Sequence, residues 1–186
     1  MKLFLFHCWG GDSRSCWSGS TADYFSSKGI EVIAPDFPDR SEPVLGAWLE
    51  EIRQNVKKFD PKDKWILVGH SLGCPTILRL LESFSNEEKV KAIILVAGFA
   101  KDLGIPQIAN FVETDFNWGH IRSRAEKIII INSDNDPYIK LEEGERMAKL
   151  LNAEFIVEHN AGHINEGSGF LEYQRLIRII ENLKTS

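Results

Sequence analysis

The stretch Trp65-Ile66-Leu67-Val68-Gly69-His70-Ser71-Leu72-Gly73 decides how the rest of the chain is read. Its first four residues are an unbroken apolar run, the pattern of a strand buried on both faces rather than one alternating between core and water. From Leu72 onward the apolar residues Leu72, Ile77, Leu78 and Leu81 fall on one helical face. Between strand and helix stands Gly-x-Ser-x-Gly. A serine on so tight a turn sits in a strained backbone conformation, and side chains at the two glycine positions would collide with the adjoining strand or helix. The turn lifts the Ser71 hydroxyl clear of the sheet. It also sets the Leu72 amide at a helix N-terminus, where it can donate to a developing oxyanion.

Strand and helix alternate outward from this junction in both directions. Besides Trp65–Gly69, strands are expected at Lys2–His7, Glu31–Ala34, Ala92–Ala97, Lys127–Asn132 and Glu154–Glu158. Helical periodicity covers Leu45 to Val56, Tyr138 to Leu151 and Phe170 to Leu183, with charge on the opposite faces. Regular alternation means βαβ units, right-handed crossovers and a doubly wound, mostly parallel sheet of about six strands flanked by helices. No repeat, linker or low-complexity tract interrupts it, so residues 1–186 read as one α/β domain. The least regular stretch, Gly98 to Trp118, is either a loop over the carboxyl edge of the sheet or a short helix (Ile105–Val112) between loops.

Composition narrows the function. The net charge is −5 and no dense Lys/Arg cluster occurs, which argues against nucleic acid as a partner. No apolar run reaches the roughly 18 residues of a membrane span, and the N-terminal run is too short for a signal peptide. The three cysteines, Cys8, Cys16 and Cys74, are odd in number and lack Cys-x-x-Cys spacing. Reduced thiols in a cytoplasmic setting are therefore expected. Nothing in the sequence indicates a protein partner.

In open α/β sheets ligands bind outside the carboxyl ends of the strands. After Ile128–Ile131 comes Asn132-Ser133-Asp134-Asn135-Asp136-Pro137, and after Glu154–Glu158 comes His159-Asn160-Ala161-Gly162-His163. Ser71, Asp136 and His163 thus follow the order serine, acid, base. Asp136 is preferred to Asp134 because it directly precedes Pro137 and a helix start. His163 is preferred to His159 because Gly162 frees the backbone just before it. His70 is expected to pack or bond locally, and His120 to lie on a surface helix. None of the histidines has metal-ligand spacing with a second ligand, so no metal is expected.

The first strand ends in His7-Cys8-Trp9-Gly10-Gly11. Counting from His7, the Trp9 amide is the expected partner of Leu72 in an oxyanion hole, with Cys8 or Gly10 as alternatives. Trp17, Phe99, Phe116, Trp118 and Tyr138 flank these loops and, taken together, point to an apolar pocket for an acyl or leaving group. Cys74, one turn into its helix and next to Pro75, is expected to pack.

At these residues the chain resembles the small α/β-hydrolases typified by bacterial YdeN and retinoblastoma-binding protein nine. The resemblance is carried by Gly69-His70-Ser71-Leu72-Gly73-Cys74-Pro75-Thr76-Ile77-Leu78-Arg79, by Ile93-Ile94-Leu95-Val96-Ala97-Gly98-Phe99-Ala100-Lys101, by Asp136-Pro137 and by Gly162-His163. It implies a compact sheet of about six strands, a Ser-Asp-His triad and no cofactor. Cys8 departs from the pattern, standing where glycine is usual. The expected activity is hydrolysis of small carboxylic esters, or of amides or short peptides, through an acyl-enzyme on Ser71. A thioesterase on the same triad and a catalytically silent binding module are the alternatives.

Overall fold

The computed structural model describes residues 1–185. Six strands, β1 (Lys2–Phe6), β2 (Glu31–Ile33), β3 (Trp65–His70), β4 (Val90–Val96), β5 (Ala125–Ser133) and β6 (Glu154–Glu158), form one sheet in the order β2-β1-β3-β4-β5-β6. Every pairing is parallel. Six α-helices connect and cover them: α1 (Ser18–Ser27), α2 (Leu45–Asn55), α3 (Gly73–Glu82), α4 (Trp118–Ser123), α5 (Leu141–Leu151) and α6 (Gln174–Thr185). None of the described helices is long and apolar enough to cross a membrane.

The core has two layers because the strands are apolar on both faces. On one face Phe4, Leu67, Ile93 and Ile130 pack with Trp48 and Ile52 of α2, Ile77 and Leu81 of α3, and Met147 of α5. On the other, Leu3, Ile66, Ile94 and Ile129 pack with Phe25 of α1 and Leu176 and Ile180 of α6. The chain leaves β1 toward one face, through α1, and returns to β3 from the other, through α2. That change of side places a crevice at the carboxyl ends of β1 and β3. Cys8 and Trp9 follow one of these strands and Ser71 the other.

Strand boundaries differ from expectation where neighbours supply pairing that local sequence does not show. β4 and β5 each begin two residues early, with Val90 in register with Ala125. The helix α5 begins at Leu141 rather than Tyr138, because the Asp136 side chain holds Tyr138 and Ile139 in a preceding turn. The helix α1, Ser-Gly-Ser-Thr-Ala-Asp-Tyr-Phe-Ser-Ser, has little periodicity to mark it and is fixed by burial of Thr21 and Phe25. Residues 98–117 run over the carboxyl edge with one 3-10 turn, Pro106–Phe111.

Candidate active site

The serine turn has the geometry its glycines require. Ser71 has φ of 52°, in the left-handed region that L-residues avoid. Its amide is tied to the Val96 carbonyl at 2.9 Å. A Cβ on Gly69 would come within 2.8 Å of the Gly73 backbone, and one on Gly73 within 2.4 Å of the Phe6 carbonyl oxygen. Both contacts are with backbone and neither can yield. The glycines are thus steric necessities of the turn.

His163 Nδ1 and Asp136 Oδ2 lie 2.7 Å apart, and the Asp136 carboxylate is fully buried. The other carboxylate oxygen accepts the amides of Tyr138 at 2.8 Å and Ile139 at 3.1 Å. An ionised carboxylate only accepts, so Nδ1 carries the imidazole proton and Nε2 is left as the basic atom. His163 and Ser71 line the same cavity, as do Leu72 and Trp9.

Four consecutive side chains at the end of β5, Ser133 to Asp136, clamp the segment bearing His163. Asp134 accepts the Asn160 amide at 2.8 Å, Ser133 the Ala161 amide at 3.1 Å, and Asn135 the Gly162 amide at 2.8 Å; Asp136 takes the His163 ring. The residues rejected at the sequence level pair with each other: His159 Nδ1 meets Asp134 at 2.5 Å on the surface. That bond holds the Asp134 carboxyl below its ordinary range. Within the clamped segment Asn160, Gly162 and Ile164 all have positive φ. For β-branched Ile164 this is strain, which the surrounding bonds must over-determine.

His7 shapes the other wall. Its Nε2 accepts the Phe37 amide at 3.0 Å, so Nδ1 bears the proton and donates to the Cys8 carbonyl at 2.7 Å. Burial of the ring lowers its pKa and favours this neutral form. Of the expected oxyanion donors, Gly10 is excluded because its amide is bound to the Arg40 carbonyl at 3.1 Å. Trp9 is 38% exposed at the cavity mouth, its indole N–H bound to the Ser41 carbonyl.

The cavity measures about 330 Å³. Of the aromatics named from sequence, Phe99 and Tyr138 line it, with the Tyr138 ring edge-on to His163 at 5.1 Å. The other three do not. Trp17 is fully buried behind the site and donates its indole N–H to the Ile164 carbonyl. Phe116 lies under the Arg79 guanidinium at 3.7 Å, and Trp118 packs against Phe116 and Arg146 in a separate cleft. In their place Leu103, Ile105 and Ile108 of the 98–117 excursion and Ile139 supply the apolar wall. Sequence reasoning weighted aromatics and passed over these aliphatics. Their signal was Leu103-x-Ile105-x-x-Ile108 in a segment crossing the carboxyl edge.

The cysteines differ in character. Cys74 is fully buried, its thiol within reach of the Gly69 and Val96 carbonyls, and burial pushes its pKa up. Cys8 and Cys16 are free thiols whose sulfurs lie within 4.8 Å of one another; their mutual influence lowers the pKa of Cys16 and raises that of Cys8.

Six parallel strands in this order, with the strained serine after the third, are the frame of an α/β-hydrolase. The chain belongs to the serine hydrolase family, which it matches over residues 3–182. It is 27% identical over 170 residues to the YdeN protein of Bacillus subtilis, covering 91% of this chain and 88% of that one. It is 25% identical over 159 residues to the serine hydrolase RBBP9 of Rattus norvegicus, covering 84% and 80%. The crystal structure of the B. subtilis ydeN gene product superimposes with a TM-score of 0.91 at 25% identity, over 100% of this chain and 99% of that one. Est1E of Butyrivibrio proteoclasticus shares the fold, with a TM-score of 0.73 at 12% identity over 99% and 88% of the two chains.

Proposed function

We propose that the protein hydrolyses small carboxylic esters by two-step acyl transfer on Ser71, with His163 as general base and Asp136 as its orienting acid. The observation that carries this reading is the buried 2.7 Å contact between Asp136 and His163, on an imidazole lining the same cavity as Ser71. Ser71 Oγ attacks the ester carbonyl carbon as its proton passes to His163 Nε2. The imidazolium formed is stabilised by Asp136 through Nδ1–H. The carbonyl oxygen becomes an oxyanion, received by the Leu72 and Trp9 amides. His163 then protonates the leaving alcohol. Water, deprotonated by the same nitrogen, releases the acid and restores the serine.

The apolar wall and modest volume favour a short acyl chain over a long one, since pockets for drug-sized ligands span roughly 300–1,000 Å³. Among the described residues no Asp, Glu, Lys or Arg side chain lines the cavity to select a charged substrate.

The reading is tested with a fluorophosphonate probe and a series of p-nitrophenyl esters of increasing chain length. Covalent labelling and turnover that both vanish in Ser71→Ala, with a short-chain optimum, are the expected results. Labelling retained in Ser71→Ala would remove Ser71 from the chemistry.

A further inference from the structure

Three metal-ligand side chains converge beside the serine turn without taking part in the proposed acyl transfer. Cys8 follows β1, Cys16 lies in the turn entering α1, and His70 ends β3. Their two sulfurs and a ring nitrogen lie within 4.8 Å of one another. In a tetrahedral zinc site with Zn–S of about 2.3 Å and Zn–N of about 2.0 Å, neighbouring ligand atoms stand roughly 3.5–3.8 Å apart, so inward shifts of about an ångström close the site.

The protonation pattern of His70 suits a ligand. Its Nε2 lies 2.9 Å from the His163 carbonyl oxygen, which can only accept. The proton is therefore on Nε2, and Nδ1 is left with the lone pair. A ligating histidine whose other nitrogen donates to a backbone carbonyl is the usual outer-shell arrangement of metal sites. The chain also folds tightly over Cys8: a Cβ on Gly11 would stand 2.8 Å from the Cys8 sulfur. Cys16 and His70 are buried, and Cys8 and His70 line the cavity.

We propose that Cys8, Cys16 and His70 form a binding site for a thiophilic divalent cation of the zinc class, with the fourth coordination position open to the cavity. Binding is ligand exchange: the sulfurs ligate as thiolates and their protons pass to solvent. A second consequence rests on the acyl-transfer reading. Cys8 precedes Trp9 and His70 precedes Ser71, so an ion held between them pulls on both the oxyanion loop and the nucleophile, and hydrolysis slows. The spacing rule applied to sequence had no means of finding this site, because its ligands come from three separate segments.

The test uses metal-free protein kept reduced with a phosphine, and cobalt(II) as the spectroscopic probe. One equivalent is expected to give thiolate-to-cobalt charge-transfer absorption and tetrahedral visible bands, bleached by one equivalent of zinc. Cys16→Ala is expected to weaken zinc binding by more than about 100-fold, since loss of an outer-shell partner alone costs 10–100-fold. Cys8→Ala is the second variant for binding, should Cys16→Ala fail to fold. Absence of the bands in reduced wild type overturns the site. So does binding that survives both cysteine variants, or that is lost instead in His159→Ala at the exposed His159–Asp134 pair.

In the activity arm, zinc is expected to slow ester turnover by at least about tenfold, within the usual range of coupling between sites. A chelator restores the rate, and Cys16→Ala is insensitive. Cobalt bands with unchanged turnover overturn the effect on hydrolysis. Metal-free protein that turns over no ester counts against the acyl-transfer reading, while the absorption result still decides the site.

Discussion

The indole N–H of Trp17 donates to the carbonyl oxygen of Ile164 at 3.0 Å, across 147 residues of sequence. Together with the bond from His70 to the preceding carbonyl, that of His163, it pins two consecutive peptide oxygens of the strained segment bearing the candidate base. Trp17 thus supports the site from behind and touches no substrate. Trp17→Phe keeps most of the packing and leaves the Ile164 carbonyl without its donor. A loss of about 1–3 kcal/mol follows for an unsatisfied buried acceptor. Chemical denaturation should show that loss, and ester assays should show it with kcat reduced more than KM is raised.

The two acids after β5 separate cleanly. Asp136→Asn preserves an oxygen for the Tyr138 and Ile139 amides but turns an N–H₂ toward His163, enforcing the wrong tautomer. In the serine-protease example of this substitution kcat falls about 10⁴-fold, and a fall of that order is expected here with little change in melting temperature. Asp134→Asn loses the surface bond to His159 and weakens the clamp on Asn160. It should lower kcat by less than about tenfold, because a surface pair contributes ~1 kcal/mol or less. Equal effects of the two substitutions would contradict the assignment of the acid.

Gly73→Ala tests the turn itself. The added methyl would meet the Phe6 carbonyl oxygen at 2.4 Å, and β1 and β3 are locked in register at Phe6 and Gly69. Overpacking of a rigid core typically costs about 1–3 kcal/mol, and contact with backbone places this case at the upper end or beyond. Soluble yield and melting temperature should both drop. By contrast, Gly46→Ala, which meets nothing within 4 Å in the exposed first turn of α2, should be neutral or stabilising.

How much of this was legible in the sequence depends on how local each signal was. The serine turn could be read because its constraint, two glycines about one strained residue, lies within five positions. Gly162 beside His163 and Asp136 before Pro137 were likewise short-range cues. The clamp was invisible because it pairs residues 133–136 with residues 160–163, and only the β5–β6 register brings them together. The pocket was misread for a related reason. Trp17, Phe116 and Trp118 sit near reactive loops in the chain, but large rings are drawn to bury fully or to stack on Arg79 and Arg146.

Arg79 holds the roof of the cavity in place. Its guanidinium donates to the Phe111 carbonyl at 3.0 Å, to the Asp115 carbonyl at 3.4 Å and to the Thr114 carbonyl, pairs with Glu82 at 2.7 Å, and lies on the Phe116 ring. Arg79→Met leaves those carbonyls and the carboxylate without their donor. The expected cost is about 2–4 kcal/mol. Because the same excursion carries Leu103, Ile105 and Ile108, KM for short-chain esters should rise. Amide exchange across residues 103–117 should quicken more than across the sheet.

The pH dependence of stability should carry the mark of His7. The ring is buried, and its Nε2 is occupied by the Phe37 amide. A second proton would break that bond, and burial itself disfavours the charged form, so the folded-state pKa lies below the ordinary 6.5. At pH 8 both folded and unfolded states hold His7 neutral. As the pH falls below about 6.5 the unfolded chain takes up a proton that the folded one refuses, and linkage then favours unfolding. Stability is therefore full above that point and declines as the pH falls toward the lowered folded value. His7→Gln puts an amide oxygen where Nε2 stood, keeping an acceptor for Phe37 without a titrating group. Its melting temperature should be lower than wild type at pH 8, since the bond to the Cys8 carbonyl is lost. The gap should narrow between pH 7 and pH 5. Parallel melting curves across that range would remove His7 from the acid sensitivity of the fold.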